Sequence, residues 1–336
     1  MREGGPSTAV DNSPTSVSVL VPTIGRKDLA QTLDSVKRQN YPNVSVTVVY
    51  DGPAPSVVST ETLVPGEGSH GPSLKKGLER CEGELVAIVD DDTVIPPNWL
   101  AKAVPVFSDP RVAFVGGSNL TPPDSSRMEK MIGYVQSSYF GSMRMSSRYN
   151  IRAKRLDADE TDLIATGIYR RKLILEAYRD VGPQIFGSGW ENILLTWMRK
   201  QGYLISYDPE LSFYHERRDT VRDLYRQVFK SGSGRARYFK LYPRQMVKKG
   251  YMLAPSLFAI YLLTLPLLLF ATRLMILPLA LYLLTALGIS VAFSIRGRDA
   301  RAVFLMPVLF LTNHLAYGLG FLSGLFGRTV RTWGSK

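Results

Sequence analysis

An α/β protein is what this sequence predicts, with a mostly parallel sheet flanked by helices and membrane-spanning helices at its carboxyl end. Two patterns carry that expectation. Short runs of valine, isoleucine and leucine alternate with helix-period segments over residues 17–214, and apolar runs of strand length suit a parallel sheet covered on both faces. Beyond them, from Tyr251 to Gly327, the only charged side chains are Arg273, Arg296, Arg298, Asp299 and Arg301. With 336 residues, 45% of them apolar and 21% charged, the chain can build a sizeable core, which excludes disulfide-stapled miniproteins and collagens.

The elements follow in order. Residues 1–16, MREGGPSTAVDNSPTS, are small and polar without an apolar stretch, and read as a flexible tail rather than a signal peptide. SVSVLV, VSVTVVY, ELVAIV and RVAFVGG have the composition of strands, and DLAQTLDSVKRQ, PSLKKGLERC and NWLAKAVPVF between them have helical spacing. The order is therefore β-α-β-α-β-α-β. From Asp124 to Asp162 the rhythm breaks, and GYVQSSYFGSMRMSSRYNIRAKR reads either as helix plus mobile loop near the site or as a surface excursion.

Residues 215–250 hold eleven Lys and Arg against three acidic residues, a local surplus of eight in a chain of net charge +12. Interleaved Leu224, Tyr225, Val228, Phe229, Tyr238, Phe239 and Leu241 make this segment read as basic helices lying along a membrane interface. Three apolar stretches follow, Tyr251–Thr272, Leu274–Ile295 and Ala302–Gly327, each near the roughly 20 residues that cross hydrocarbon. Arg296, Arg298 and Arg301 put the second connection on the basic side, which predicts a multi-pass membrane protein with residues 17–214 facing the cytoplasm. Asn313 and His314, with Arg328 and Arg331 in the tail 328–336, leave the third stretch open as a span or a re-entrant segment. Because the basic run abuts apolar spans, its partners are membrane lipids and no nucleic acid. The lone Cys81 cannot form an intrachain disulfide, and no thiolate cluster for a metal exists.

Ligands of open parallel sheets bind beyond the carboxyl ends of the strands. There ELVAIVDDDTVIPPNWL delivers Asp90, Asp91 and Asp92, whose mutual repulsion calls for hydrogen-bond donors or a cation, a hard divalent ion being the simplest. SVSVLVPTIGRKD ends its strand at Pro22 and Thr23, with Gly25 and Arg26 opening a helix, and VSVTVVYDGP ends at Asp51. Singly, each is an ordinary turn; at three successive strand ends they mark one site.

These residues resemble the family-2 inverting glycosyltransferases of the GT-A fold. The likeness runs through VPTIGRKDLAQTLDSVKRQNYP, VVYDGP, EGELVAIVDDDTVIPPNWL, VGGSN, ATGIYRR, GSGWENILLTWMRKQGY, FYHERR and RQVFKSGSGRAR. It implies transfer of a sugar from a nucleotide-sugar donor to a lipid-linked acceptor, with Mn2+ or Mg2+ as cofactor. Pro22, Thr23, Arg26, Asp51, Asp90 and Asp91 would contact the nucleotide. Asp90 and Asp92 would hold the metal, with His215 as a third ligand. Glu191 would be the general base, and Trp190 would stack on the acceptor. Arg217, Arg218 and Arg235 would neutralise the diphosphate or a lipid phosphate. The chain departs from the family pattern at Asn192, where Asp is usual, and at Lys75 and Lys76, where relatives carry Arg-Asn. Gln227 is followed by Lys230 and Ser231 instead of completing Q-x-x-R-W, which favours addition of one sugar over polymerisation. Polyprenyl-phosphate glycosylation, polymer synthesis and an inactive sugar-binding scaffold remain the alternatives.

Overall fold

The computed structural model describes residues 14–56, 61–151, 166–185 and 187–327. Most of both predicted tails and the far part of the Asp124–Asp162 segment lie outside the described residues. Strand β1 (Val17–Thr23) is buried along its whole length, as a valine-rich central strand must be. Helix α1 (Leu29–Lys37) turns Leu29, Leu33 and Val36 inward, and β2 (Val44–Tyr50) pairs parallel with β1, Val17 opposite Val44. The short β3 (Thr62–Pro65) extends the sheet beyond β2, and α2 (His70–Arg80) leads to β4 (Leu85–Ile88), parallel to β1 on its other side.

After β4 come β5 (Thr93–Val94), α3 (Trp99–Ala103), β6 (Val112–Gly116) and β7 (Asn119–Leu120). Helix α4 (Arg127–Ser137) starts at a capping box in which Ser126 and Glu129 satisfy each other's backbone N–H. It runs into the single turn α5 (Tyr139–Ser142). Strand β8 (Gly167–Arg170), α6 (Arg171–Val181), α7 (Trp190–Lys200), β9 (Leu204–Tyr207) and β10 (Phe213–His215) complete the domain.

The main sheet has seven strands in the order β3-β2-β1-β4-β8-β6-β9. The expected alternation holds with one correction: β8 lies antiparallel between β4 and β6, so these two strands are not neighbours. Four residues of ATGIYRR are too few for a period to register. Gly167 is needed there because a Cβ would stand 2.3 Å from the Phe114 ring. Alternate residues of the sheet serve two cores: Val17, Val19 and Val21 pack with α1 and α3, whereas Leu20, Val49, Val86 and Ile88 pack with α2, α6 and α7. A second, three-stranded sheet joins β5, β10 and β7.

Helix α8 (Val221–Leu241) begins at Thr220, whose hydroxyl accepts from the Asp223 N–H, and is followed by α9 (Pro243–Lys248). Then come α10 (Ala254–Ala271), α11 (Leu277–Gly297) and α12 (Ala302–Phe326). With their flanking turns they form three helices long and apolar enough to cross a membrane, at Gly250–Ala271, Arg273–Gly297 and Ala302–Phe326. The third runs unbroken for 25 residues, without a re-entrant turn. It is also the most enclosed, 39% of its apolar window being buried against 17% and 11% in the other two.

The reading of residues 215–250 as helices lying on an interface needs correction for α8. From Gly232 to Tyr238 it is buried. Gly232 faces α12, where a Cβ would stand 2.2 Å from the Tyr317 carbonyl, and Gly320 returns the contact at 2.1 Å from the Phe229 carbonyl. Gly234 meets the loop before α7, 2.1 Å from the Ser188 carbonyl. Small residues let α8 wedge between the sheet domain and the apolar helices, a contact no side chain beyond Gly would permit.

Candidate active site

The end of β4 delivers three aspartates that the fold then divides. Asp91 accepts from Thr23 Oγ1 at 2.7 Å, in the buried seam with β1. Asp90 and Asp92 face His215, whose Nε2 stands 3.8 Å from one carboxylate and 3.2 Å from the other. His215 arrives there through backbone pairing: it lies opposite Thr93 in the antiparallel β5–β10 ladder, and the Glu216 N–H donates to the Asp92 carbonyl at 3.1 Å.

Cations also converge on the triplet. Arg26, which lies in the loop before α1 and not on the helix itself, pairs with Asp92 and approaches Asp91 at 3.4 Å. Arg218 stands 4.0 Å from Asp92. The repulsion among the carboxylates is thus relieved in part by the protein's own donors. Burial, followed by the charges of Asp92 and Glu191, pushes Asp90 up to about 7. Burial acts on Asp92 in the same sense, but His215, protonated in the acid range where Asp92 titrates, together with Arg26 and Arg218 outweighs it and holds Asp92 below the ordinary carboxylate value. Burial draws His215 down to about 4 against the pull of Asp92, so its ring is neutral at pH 7.

The His215 tautomer tests whether a metal fits. Nδ1 lies 2.9 Å from the Glu216 carbonyl, which can only accept, so Nδ1 carries the proton. Nε2 then directs a bare lone pair at two carboxylates, an arrangement that a cation between them would satisfy. The three ligand atoms lie within 4.8 Å of one another. Two carboxylate oxygens and one imidazole nitrogen suit Mn2+ well and Mg2+ acceptably.

Across the site, α7 starts at Gly189, held at φ 80° where an L side chain would be strained. Arg235 and Arg237 of α8 pin this start: Arg235 Nη1 donates to Asn192 Oδ1 at 2.7 Å, and Arg237 Nη2 donates to the Ser188 carbonyl at 2.8 Å. Asn192 in turn donates to the Gly189 carbonyl at 3.2 Å. Glu191 follows in the first helical turn. Burial raises its carboxyl above the ordinary value, opposed first by Arg148 and more weakly by Arg235 and Arg237.

A cavity of about 1300 Å³ joins these groups. Arg26, Asp90, Trp190, Glu191, His215, Arg217, Arg218 and Arg235 line it, whereas Pro22, Thr23, Asp51, Asp91 and Asp92 do not. Pro22 and Thr23 are buried at the end of β1, and Asp51 already accepts from the Gly68 N–H and from Ser73 Oγ, each at 2.7 Å. Arg217 spends donors on Thr121 Oγ1 at 3.1 Å and the Asn119 carbonyl at 2.7 Å. Trp190 is buried, with His70 packed against its ring at 5.4 Å. Lys75 and Lys76 pair with Glu79 and Glu67, outside the cavity lining. Sequence reasoning missed Arg148, Tyr149 and Tyr317, which also line the cavity. The first two come from the segment without a period; Tyr317 stands in an apolar run, where one more aromatic residue carries no signal.

A family model described as glycosyltransferase like family 2 matches residues 14–234. The chain belongs to that family. No curated protein matches this glycosyltransferase. Among solved structures it is similar to the mannosyltransferase PcManGT from Pyrobaculum calidifontis, determined in complex with GDP-Man and Mn2+. That likeness has a TM-score of 0.58 at 17% identity and covers 94% of this chain and 88% of the other. It is also similar to S. aureus TarS 1-349, at TM-score 0.42 and 16% identity, over 92% of this chain and 90% of that one. A third similar structure is glucosyl-3-phosphoglycerate synthase from Mycobacterium tuberculosis with Mn2+, UDP and phosphoglyceric acid. There the TM-score is 0.42 at 15% identity, over 67% of this chain and 78% of the other. The glycosyltransferase therefore has the GT-A architecture, a mixed α/β sheet, followed by three helices apolar enough to anchor it in a membrane.

Proposed function

We propose that this glycosyltransferase moves one sugar, with inversion, from a nucleotide-diphosphate donor to a lipid-linked acceptor at the membrane surface. The observation that carries this reading is the continuity of one cavity, from Asp90, Glu191 and His215 to Tyr251, Phe258 and Tyr282 beside and within the apolar helices. A water-soluble acceptor would need no such extension.

Asp90, Asp92 and His215 would hold Mn2+ or Mg2+, which when bound offsets the charge of the departing diphosphate. The bound Mn2+ and GDP-Man of the Pyrobaculum calidifontis structure support a nucleotide-sugar donor and a metal here. Glu191 takes the proton of the acceptor hydroxyl as that oxygen attacks the anomeric carbon. The bond from that carbon to the donor phosphate oxygen breaks, and its electron pair leaves with the nucleoside diphosphate. Arg26 and Arg218 stay beside Asp92 to keep it ionised. The basic surplus of residues 215–250 favours the cytoplasmic side for the site.

Asp92→Asn in the purified chain should lower metal-dependent transfer by about 100-fold or more, the usual scale for losing charge stabilisation of a transition state. A screen of nucleoside diphosphates by thermal shift, with and without manganese, should identify the donor base. Product mass should show one sugar added to a lipid. Wild-type rates in the Asp92→Asn variant would defeat the assignment.

A further inference from the structure

We infer that the inner arm of the cavity is an acceptor subsite: a phosphate-bearing headgroup lies among Arg148, Arg235 and the Tyr317 hydroxyl, and its apolar chain runs on past Phe258 and Tyr282. This deepens the lipid-linked reading above and rests on it.

Unspent donors point to the headgroup. The Tyr317 hydroxyl and Arg148 Nε are buried and have no hydrogen-bond partner among the described residues, and both residues line the cavity. Donors removed from water without a partner are unfavourable, and phosphate oxygens accept from such groups well. Tyr317 is 9% exposed, and its carbonyl abuts Gly232, one helical turn before Arg235 on α8, so the apolar α12 meets the basic α8 there.

The same lining includes Met252, just before α10, Pro255 and Phe258 of α10, and Tyr282 of α11. The polar atoms nearby are consumed among themselves. Tyr282 Oη stands 2.8 Å from His314 Nδ1, and His314 Nε2 stands 3.2 Å from the Gly141 carbonyl. Because that carbonyl can only accept, Nε2 carries the proton and the Tyr282 hydroxyl donates to Nδ1. Asn313 Nδ2 donates to the same carbonyl at 2.9 Å. Polar side chains within apolar helices are costly unless they do a task, and this set ties the α5 segment to α12. Gly141 is required at the tie, since a Cβ would stand 1.9 Å from the Val135 carbonyl. Phe140, beside it, packs edge-on against His314 and Phe310, at 5.5 and 5.1 Å. The result is a fixed, apolar, aromatic wall facing the arm.

The test uses the full chain in detergent with its donor, manganese and two lipid phosphates that share a headgroup but differ in chain length. Wild-type kcat/KM should rise with chain length, and equal values for both lipids would overturn the subsite without any variant. Ala254→Trp, which narrows the arm, should shrink the long-to-short ratio by about tenfold, the worth of about two buried methylenes. Tyr317→Phe should lower kcat/KM for both lipids by about tenfold, as loss of a hydrogen bond to a charged group does. Nucleoside diphosphate binding, measured on each variant, checks that the fold is intact. If both variants match wild type while lipid remains the acceptor, the subsite falls and the lipid-linked reading stands. If wild type glycosylates only water-soluble acceptors, both fall.

Discussion

Thr23 lies 68 residues from Asp91 in sequence, yet after Arg26 its hydroxyl does most to make that buried carboxylate tolerable. Thr23→Val keeps the shape and removes the donor. It should lower stability by about 1–3 kcal/mol, the cost of an unsatisfied buried acceptor, and thermal unfolding checks it. An unchanged melting temperature would mean that Arg26 suffices for Asp91. Glu191 supplies a prediction in pH. Its carboxyl is raised above 4.5, and as a base it must be ionised, so the acid limb of kcat/KM should lie above pH 4.5. Arg148 is the strongest influence lowering it; at saturating manganese, which keeps Asp90 ionised, Arg148→Gln should therefore move the limb to higher pH, and a stationary limb would remove Glu191 from the role. Asp90, Asp92, His215 and Glu191 stand out as candidates in the sequence because each lies at a strand end or in a stretch that resembles the family pattern. Arg148 and Tyr317 do not, because the segments that hold them carry no signal beyond composition.

Among the elements, α8 departs furthest from expectation. Its basic, amphipathic sequence reads as surface, but Gly232, Gly234 and Ala236 carve a face that burial against α7 and α12 completes. Charge counted along a sequence says nothing of which arginines will find a buried carbonyl or amide, as Arg235 and Arg237 do. Gly320→Leu forces the α8–α12 contact apart and should cost about 1–3 kcal/mol or more in a melt in detergent. Gly288→Ala, where a Cβ meets nothing within 4 Å, is the control and should be neutral or stabilising. Equal melts would show the contact to be slack. The early strands were readable from their short β-branched runs and the three apolar helices from their length and lack of charge, while β8 was too short to announce its antiparallel insertion.

For the molecule as a whole, the sheet domain and the apolar helices share a core through α4, α8 and α12, with Met131, Leu224, Val228 and Phe310 in one cluster. A chain ended after Lys249 would expose that face to water. It should aggregate on expression, whereas the intact chain should sediment with membranes and resist alkaline extraction. A soluble, monodisperse truncation would refute the shared core. The β5–β10 ladder has a different consequence. Because peptide groups, and not the ion, bring His215 to Asp92, the centre is prepared before anything fills it. Chelation should silence transfer yet leave the circular dichroism spectrum unchanged, so that an emptied enzyme kept in storage wakes when manganese is returned, with no refolding in between.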